Sequence, residues 1–185
     1  MAGTVTILLG SPRKSGNSER LADAFAMGAE EKGYKTHKIR LADMQIKPCL
    51  ACGRCWNSGV PCVQIDDMSL IYPKLAESDI ITFATPLYFY SWSAQTKLMW
   101  DRLICIYSAK SRIDLRNKRS VMIASAGDAG MECFDGLVSS FRLACSYTKW
   151  KIAGIVCAPG MHGKTDIAEN GREYILKAYT LGKNL

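Results

Sequence analysis

The chain has 185 residues, 48% hydrophobic and 22% charged, which suits one domain spanning residues 1–185 that buries its own core. No run of about eighteen apolar residues occurs, and Met1-Ala2-Gly3-Thr4 leads straight into a strand pattern, so neither a membrane span nor a secretory leader is expected and the cytoplasm is the expected compartment. The net charge of +7 is scattered, and its densest group, Arg112, Arg116, Lys118 and Arg119, reads as a solvated connection, so nucleic acid is not an expected partner.

Residues 4–9 are a short apolar, β-branched run ending at Gly10, as expected of a strand buried on both faces of a parallel sheet. A helix is predicted over 17–32, with Leu21, Ala24, Phe25 and Gly28 at helical spacing and Gly33 as its C-terminal cap. A strand over 35–39 precedes a cysteine-rich loop at about 46–66, and a helix follows over 67–77. Further strands are predicted over 79–85, 120–125 and 152–157, alternating with helices over 94–107, 132–146 and 167–181. The last helix carries Ile167, Gly171, Tyr174, Ile175 and Ala178 along one stripe. Repeated right-handed crossovers of this kind give an α/β fold with a doubly wound parallel sheet.

Ligands of such sheets bind beyond the carboxyl ends of the strands. Directly after the first strand stands Ser11-Pro12-Arg13-Lys14-Ser15-Gly16-Asn17-Ser18, which has hydroxyls and two cations but no carboxylate. A helix starting near Asn17 would aim free N–H groups and its positive dipole end into this loop, a setting for a phosphate monoester. Asn17 follows Gly16 where a triphosphatase loop would carry Lys, and no Gly-x-Gly-x-x-Gly fingerprint is present. The plainer alternative is a strand-to-helix turn rich in capping residues.

Two more loops leave the same sheet edge. Residues 85–93 hold Tyr88, Phe89, Tyr90 and Trp92, which could wall a flat ring with Leu87 or cover a subunit interface. Ser125, Ala126, Gly127 and Asp128 offer backbone that can approach a planar ligand closely. The 94–107 helix is apolar on more than one face, through Leu98, Met99, Trp100, Leu103, Ile104 and Ile106, and a homo-oligomer is expected from it.

Of eight cysteines, Cys105, Cys133, Cys145 and Cys157 are dispersed and read as small buried hydrophobes. Cys49, Cys52, Cys55 and Cys62 are spaced C-x2-C-x2-C-x6-C. That spacing resembles the compact run of ferredoxins and could wrap an iron–sulfur cube. A structural zinc, a redox dithiol and four unengaged thiols remain open beside it. Trp56 could shield such a group or simply pack, and His37 and His162 are read as structural or solvated.

Taken in order, Gly10 to Ser18, Ile46 to Cys55, Asp66-Asp67-Met68, Thr85-Pro86-Leu87-Tyr88, and Lys97 with Asp101-Arg102 resemble the NADPH-dependent FMN reductase family, especially its iron–sulfur flavoprotein branch. The resemblance implies a flavodoxin-like three-layer sandwich with strand order 2-1-3-4-5. It implies an FMN phosphate on Ser11, Arg13, Ser15, Gly16, Asn17 and Ser18, and a flavin ring against Pro86, Leu87, Tyr88 and Phe89. Ser125, Ala126, Gly127 and Asp128 would close that site. It further implies dimers or tetramers, NAD(P)H as a reductant, and a four-iron cluster on Cys49, Cys52, Cys55 and Cys62 passing electrons to FMN. The flavin would carry the chemistry with no catalytic side chain, serving a small-molecule acceptor or a ferredoxin-like redox protein. The competing expectation from another class is a flavin-free module binding some other phosphate ligand, with a structural zinc at the cysteines.

Overall fold

Strands β1 (Gly3–Leu9), β2 (Tyr34–Arg40), β3 (Ile80–Pro86), β4 (Arg119–Ser125) and β5 (Lys151–Ala158) run parallel in one sheet. Their order is β2-β1-β3-β4-β5. The computed structural model describes residues 3–108 and 110–185; Met1 and Ala2, included in the sequence reading of the N-terminus, lie outside them. Alternation along β1 sorts the core into two layers: Val5, Ile7 and Leu9 join one cluster and Leu8 the other. The first cluster is closed by α1 (Asn17–Glu31), α6 (Asp166–Asn170) and α7 (Arg172–Lys183) through Leu21, Phe25, Ile167 and Ala178. On the other face, α3 (Met68–Glu77), α4 (Ala94–Arg102) and α5 (Asp135–Thr148) contribute Ile71, Leu75, Met99 and Phe141 around Phe83 of β3. The fold is the flavodoxin-like three-layer sandwich. Among the described residues, no helix is long and apolar enough to cross a membrane.

Four elements depart from the sequence reading. The helix expected over 94–107 stops at Arg102 and tightens into a 3-10 turn over Leu103–Tyr107, and the one expected over 132–146 opens as a 3-10 turn over Met131–Phe134. The last helix breaks at Gly171, where a Cβ would lie 2.3 Å from the Ile167 side chain. Its apolar stripe survives the break, since Ile167 and Ala178 are buried and Tyr174 and Ile175 pack on them. Inside the cysteine segment, read as loop, a short helix α2 covers Arg54–Ser58, between α1 and α3 in the chain. All four dispersed cysteines are buried. Burial raises the thiols of Cys105 and Cys145 to about 11 and that of Cys157 to about 12, so these are inert packing groups at neutral pH.

Helices α1 and α7 cross at a reciprocal glycine contact. A Cβ on Gly28 would stand 2.1 Å from the Tyr179 carbonyl oxygen, and one on Gly182 would stand 2.1 Å from that of Phe25. The stripe position read for Gly28 is therefore a point of backbone contact.

The cysteine segment is a long excursion between β2 and α3, and a buried polar knot closes its root. Arg102, at the end of α4 and 2% exposed, donates through Nη1 to Asp66 Oδ2 at 2.5 Å and through Nη2 to Oδ1 at 3.1 Å. Its Nη1 also reaches the Lys47 carbonyl at 2.7 Å, while the Lys47 and Met68 amides donate to the same carboxylate at 3.0 and 3.1 Å. Tyr72 of α3 fixes the far side by donating its hydroxyl to the Arg102 carbonyl at 2.7 Å. Burial alone would raise the Asp66 carboxyl, but the hydrogen bonds from Arg102, Lys47 and Met68 outweigh it and hold it below its ordinary value. Planar fork-to-fork geometry of this kind needs Arg, and Lys would not replace it.

Two outcomes follow. Gly28→Ala is expected to lower stability to urea by roughly 1–3 kcal/mol, although alanine is the better helix former by about 1 kcal/mol, because the new methyl meets backbone. Asp66→Asn is expected to cost roughly 3–5 kcal/mol at pH 7, since it strands a buried guanidinium. The gap between wild type and this variant should stay full above the unfolded carboxylate value of about 4 and close as pH falls through the lower folded value. Denaturation from pH 7 to 3 measures both.

Candidate functional site

The site begins where β1 ends. Gly10 donates its amide to Ala84 of β3 at 2.8 Å, and its carbonyl accepts the Ser93 hydroxyl at 2.8 Å. Ser93 also caps α4 by accepting the Thr96 amide at 3.3 Å. A Cβ at Gly10 would fall 2.0 Å from Thr96 Oγ1, so only glycine lets the first loop pass this close to the start of α4. The loops after β1 and β3 are thereby fastened side by side.

Together with the loop after β4 they enclose a cavity of about 160 Å³. The first loop contributes Ser11, Arg13, Gly16, Asn17 and Ser18, the second Pro86, Leu87 and Tyr88, and the third Ser125 and Gly127. Among the described residues, the backbone amides of Gly16, Asn17 and Ser18 find no acceptor, as expected at the first turn of a helix. The Arg13 side chain enters no ion pair among these residues. Free amides, a helix N-terminus and an unpaired cation make this an anion cradle whose chemistry suits a phosphate ester.

Four of the residues read for this site from the sequence do not line the cavity. Ser15 turns outward in the left-handed region, with φ of 55°. Its amide donates to Glu19 at 2.6 Å and its carbonyl accepts Arg20 Nε at 3.0 Å, so it braces the loop. Ala126 is a joint, its amide on the Ala158 carbonyl and its carbonyl on the Met161 amide. Asp128 is exposed and accepts the Gly160 amide on its carbonyl at 2.6 Å. Phe89 is 100% exposed. It tips a tight hairpin in which Tyr88 and Ser91 exchange backbone hydrogen bonds while Phe89 and Tyr90 take φ of 46° and 58°. Two adjacent non-glycine residues in the left-handed region store strain at the rim of the cavity. Trp92, the fourth aromatic, is buried and donates Nε1 to Ser140 at 3.1 Å.

Met161, His162 and Lys164 also line the cavity, and sequence reasoning missed them. The Asn17 side chain brings them there. Its Nδ2 donates to the Met161 and Gly163 carbonyls at 3.3 and 2.7 Å, and its Oδ1 accepts the Ile167 amide at 3.1 Å. Asn17 thus has only its backbone amide to offer a ligand. The available signal was positional: residues 159–164 follow the fifth strand at the same sheet edge. Arg40, at the end of β2, was missed as well; it donates Nη1 to the Ser11 carbonyl at 3.2 Å and pairs with Glu19, the carboxylate that also holds the Ser15 amide.

A second and larger cavity, about 540 Å³, lies at the other end of α4. Cys49, Cys52, Cys55 and Cys62 all line it, with Trp56, Trp100 and Arg102. Ile104 and Ile106, two of the residues that make the 94–107 segment apolar on more than one face, also line it. Burial raises the Cys55 thiol, and the Cys62, Cys49 and Cys52 thiols, close enough to repel its charge, raise it further. Among the described residues, no three Cys, His, Asp or Glu side chains converge tightly enough for a single metal ion. Buried and without an acceptor are Arg102 Nε and Trp100 Nε1. Four soft ligands and two unanswered donors on residues lining one cavity suit a sulfur-rich group.

Comparison with known proteins agrees with this geometry. The family model described as NADPH-dependent FMN reductase matches residues 4–149. An iron–sulfur flavoprotein of Methanosarcina thermophila is 33% identical over 123 residues, 66% of this chain and 63% of that protein. One of Methanocaldococcus jannaschii is 37% identical over 138 residues, 72% of this chain and 68% of that one. The chain thus spans less than two thirds of the length of the Methanosarcina relative. Among solved structures, an NAD(P)H:quinone oxidoreductase from Methanothermobacter marburgensis superposes with a TM-score of 0.76 at 20% identity, covering 100% of this chain and 97% of that one, a likeness of fold. With a family model matching most of its length and an anion cradle at the edge where this fold binds ligands, the chain belongs to the NADPH-dependent FMN reductase family.

Proposed function

We propose that this chain, an FMN-dependent oxidoreductase, holds the FMN phosphate in the cradle at residues 11–18 and carries a four-iron cluster on Cys49, Cys52, Cys55 and Cys62. Electrons would pass between cluster and flavin and leave to a small acceptor or a redox protein. The observation that carries the reading is the pairing of a carboxylate-free anion cradle with a cavity lined by all four clustered thiols. Helix α4 connects the two: Ser93 at its start touches Gly10, and Trp100 and Arg102 at its end line the cysteine cavity. Nine residues at 1.5 Å per residue make that helix about 14 Å long.

FMN, when bound, supplies the electron-carrying ring, and the protein's part is to hold it, orient it and limit its exposure. The Gly16, Asn17 and Ser18 amides would grip the ester, and Arg13 and Lys164 would neutralise its charge. A cavity of about 160 Å³ is smaller than ordinary ligand pockets, so it suits the phosphate and the start of the ribityl chain. The ring would rest on the open rim against Leu87 and Tyr88, the latter 41% exposed. The protruding Phe89 and Tyr90 support a homodimer or homotetramer in which this tip meets a neighbour. That open rim also leaves a face for NAD(P)H, which favours a direct hydride route as the second reading.

The cysteine geometry supports a cluster over a lone zinc. Zinc–sulfur bonds of about 2.3 Å draw four thiolates to within about 4 Å of one another, whereas in a cluster each cysteine serves its own iron. The wide cavity and the lack of a single-ion constellation among the described residues suit the second arrangement.

Protein purified without oxygen is expected to contain FMN and roughly four iron and four sulfide per chain. Cys62→Ser should lose the iron and keep the flavin. FMN without iron would leave the hydride reading, and a colourless protein would overturn both. Calorimetry on the apoprotein should find FMN at least about a hundredfold tighter than riboflavin, a difference of roughly 2.7 kcal/mol. Arg13→Ala is expected to weaken FMN about tenfold, with a shallower dependence on salt.

A further inference from the structure

Two buried donors at the cysteine cavity have no acceptor within the folded chain. Arg102 spends Nη1 and Nη2 on Asp66 and Lys47, and its Nε–H remains unanswered. Trp100, two residues earlier, stacks on Phe83 with ring centroids 4.3 Å apart and planes 15° apart, and its Nε1–H is likewise buried and unanswered. Both residues line the cavity that Cys49, Cys52, Cys55 and Cys62 share. Among the described residues the side-chain atoms left buried without a partner are these two and the Thr82 hydroxyl, so two of the three fall on residues that line this cavity. Native chains rarely leave buried N–H groups unpaired unless something outside the polypeptide answers them. Burial opposes the Arg102 charge and the Asp66 hydrogen bond sustains it, and Cys62 lies within electrostatic reach of the guanidinium.

We propose that Arg102 Nε–H and Trp100 Nε1–H are hydrogen-bond donors to the sulfur atoms of the cluster and so set how readily it takes an electron; this rests on the cluster reading above. A reduced cluster carries one more negative charge, spread largely over sulfur, and donors aimed at sulfur favour that state. Arg102 is neutralised by Asp66, so its contribution here is a directed N–H, and the same side chain that closes the root of the cysteine segment would also touch the group that the segment holds. Both are positioning residues.

The test uses whole protein, purified without oxygen and titrated with dithionite. Trp100→Phe keeps an aromatic ring beside Phe83 and removes the indole donor together with one fused ring. Its cluster is expected to be about tenfold harder to reduce, which is 59 mV for a one-electron couple. Pulsed electron paramagnetic resonance of the reduced cluster, in wild type labelled with ¹⁵N at the arginine side chain or the tryptophan indole, should show nitrogen couplings from each label, the indole coupling vanishing in Trp100→Phe. A cluster with full iron and sulfide but neither coupling, and an unchanged potential in Trp100→Phe, would overturn the inference and leave the cluster reading standing. Protein with FMN but no iron after anaerobic purification would overturn both. If Trp100→Phe fails to hold its cluster, the couplings in labelled wild type still decide.

Discussion

Helix α1 opens with amides that have no acceptor among the described residues, and the arrangement of the sheet edge depends on that fact. A first turn cannot satisfy its own N–H groups, and in this chain the residues before it supply cations and hydroxyls instead of a carboxylate. The unpaired positive end is stable in water and becomes a grip once an anion arrives. Its neighbours are organised around keeping it in place. Gly10 lets the loop lie against α4, Arg40 and Glu19 brace it from β2 and α1, and the Asn17 side chain ties it to residues 161–167.

The other end of α4 follows a different logic. Around the cradle the chain leaves backbone donors free for a ligand, whereas at the base of the cysteine segment it spends a buried ion pair, two amides and a carbonyl on one closed knot. Apolar packing could close such a loop at similar stability, but it would not fix the segment in one register as a bidentate fork does. Fixed register matters where cysteines must meet one wall of one cavity. The short helix α4 carries both devices, its N-cap serving the cradle and its last residue the knot.

Much of this was legible in the residues, because the periods that write it are strong. Buried parallel strands are short apolar runs, helices carry one stripe, and five alternations leave one doubly wound solution. The part that residues 11–18 take in the cavity was legible because hydroxyls, cations and a helix start stand together in a single stretch. What escaped needed contacts between distant stretches. Asn17 was read as a ligand residue, and while its backbone amide stays free for a ligand, its side-chain amide is spent on residues well over a hundred positions away. Phe89 looked like a wall of the site, and a hairpin with two left-handed residues carries it outward. Gly171 fitted the helical stripe yet interrupts the helix, because periodicity records which face is apolar and not whether the backbone is continuous. Arg102 and Asp66 stood in the motifs without any sign in the sequence that they meet.

The claim on which the account turns is that the amides at the start of α1 hold the flavin's ester. Through-hydrogen-bond coupling between phosphorus and nitrogen in ¹⁵N-labelled protein saturated with FMN reads this directly. Couplings are expected from the ester phosphorus to the amides of Gly16, Asn17 and Ser18. A bound flavin whose phosphorus couples to none of the three, with amide shifts concentrated at another strand end, would contradict it.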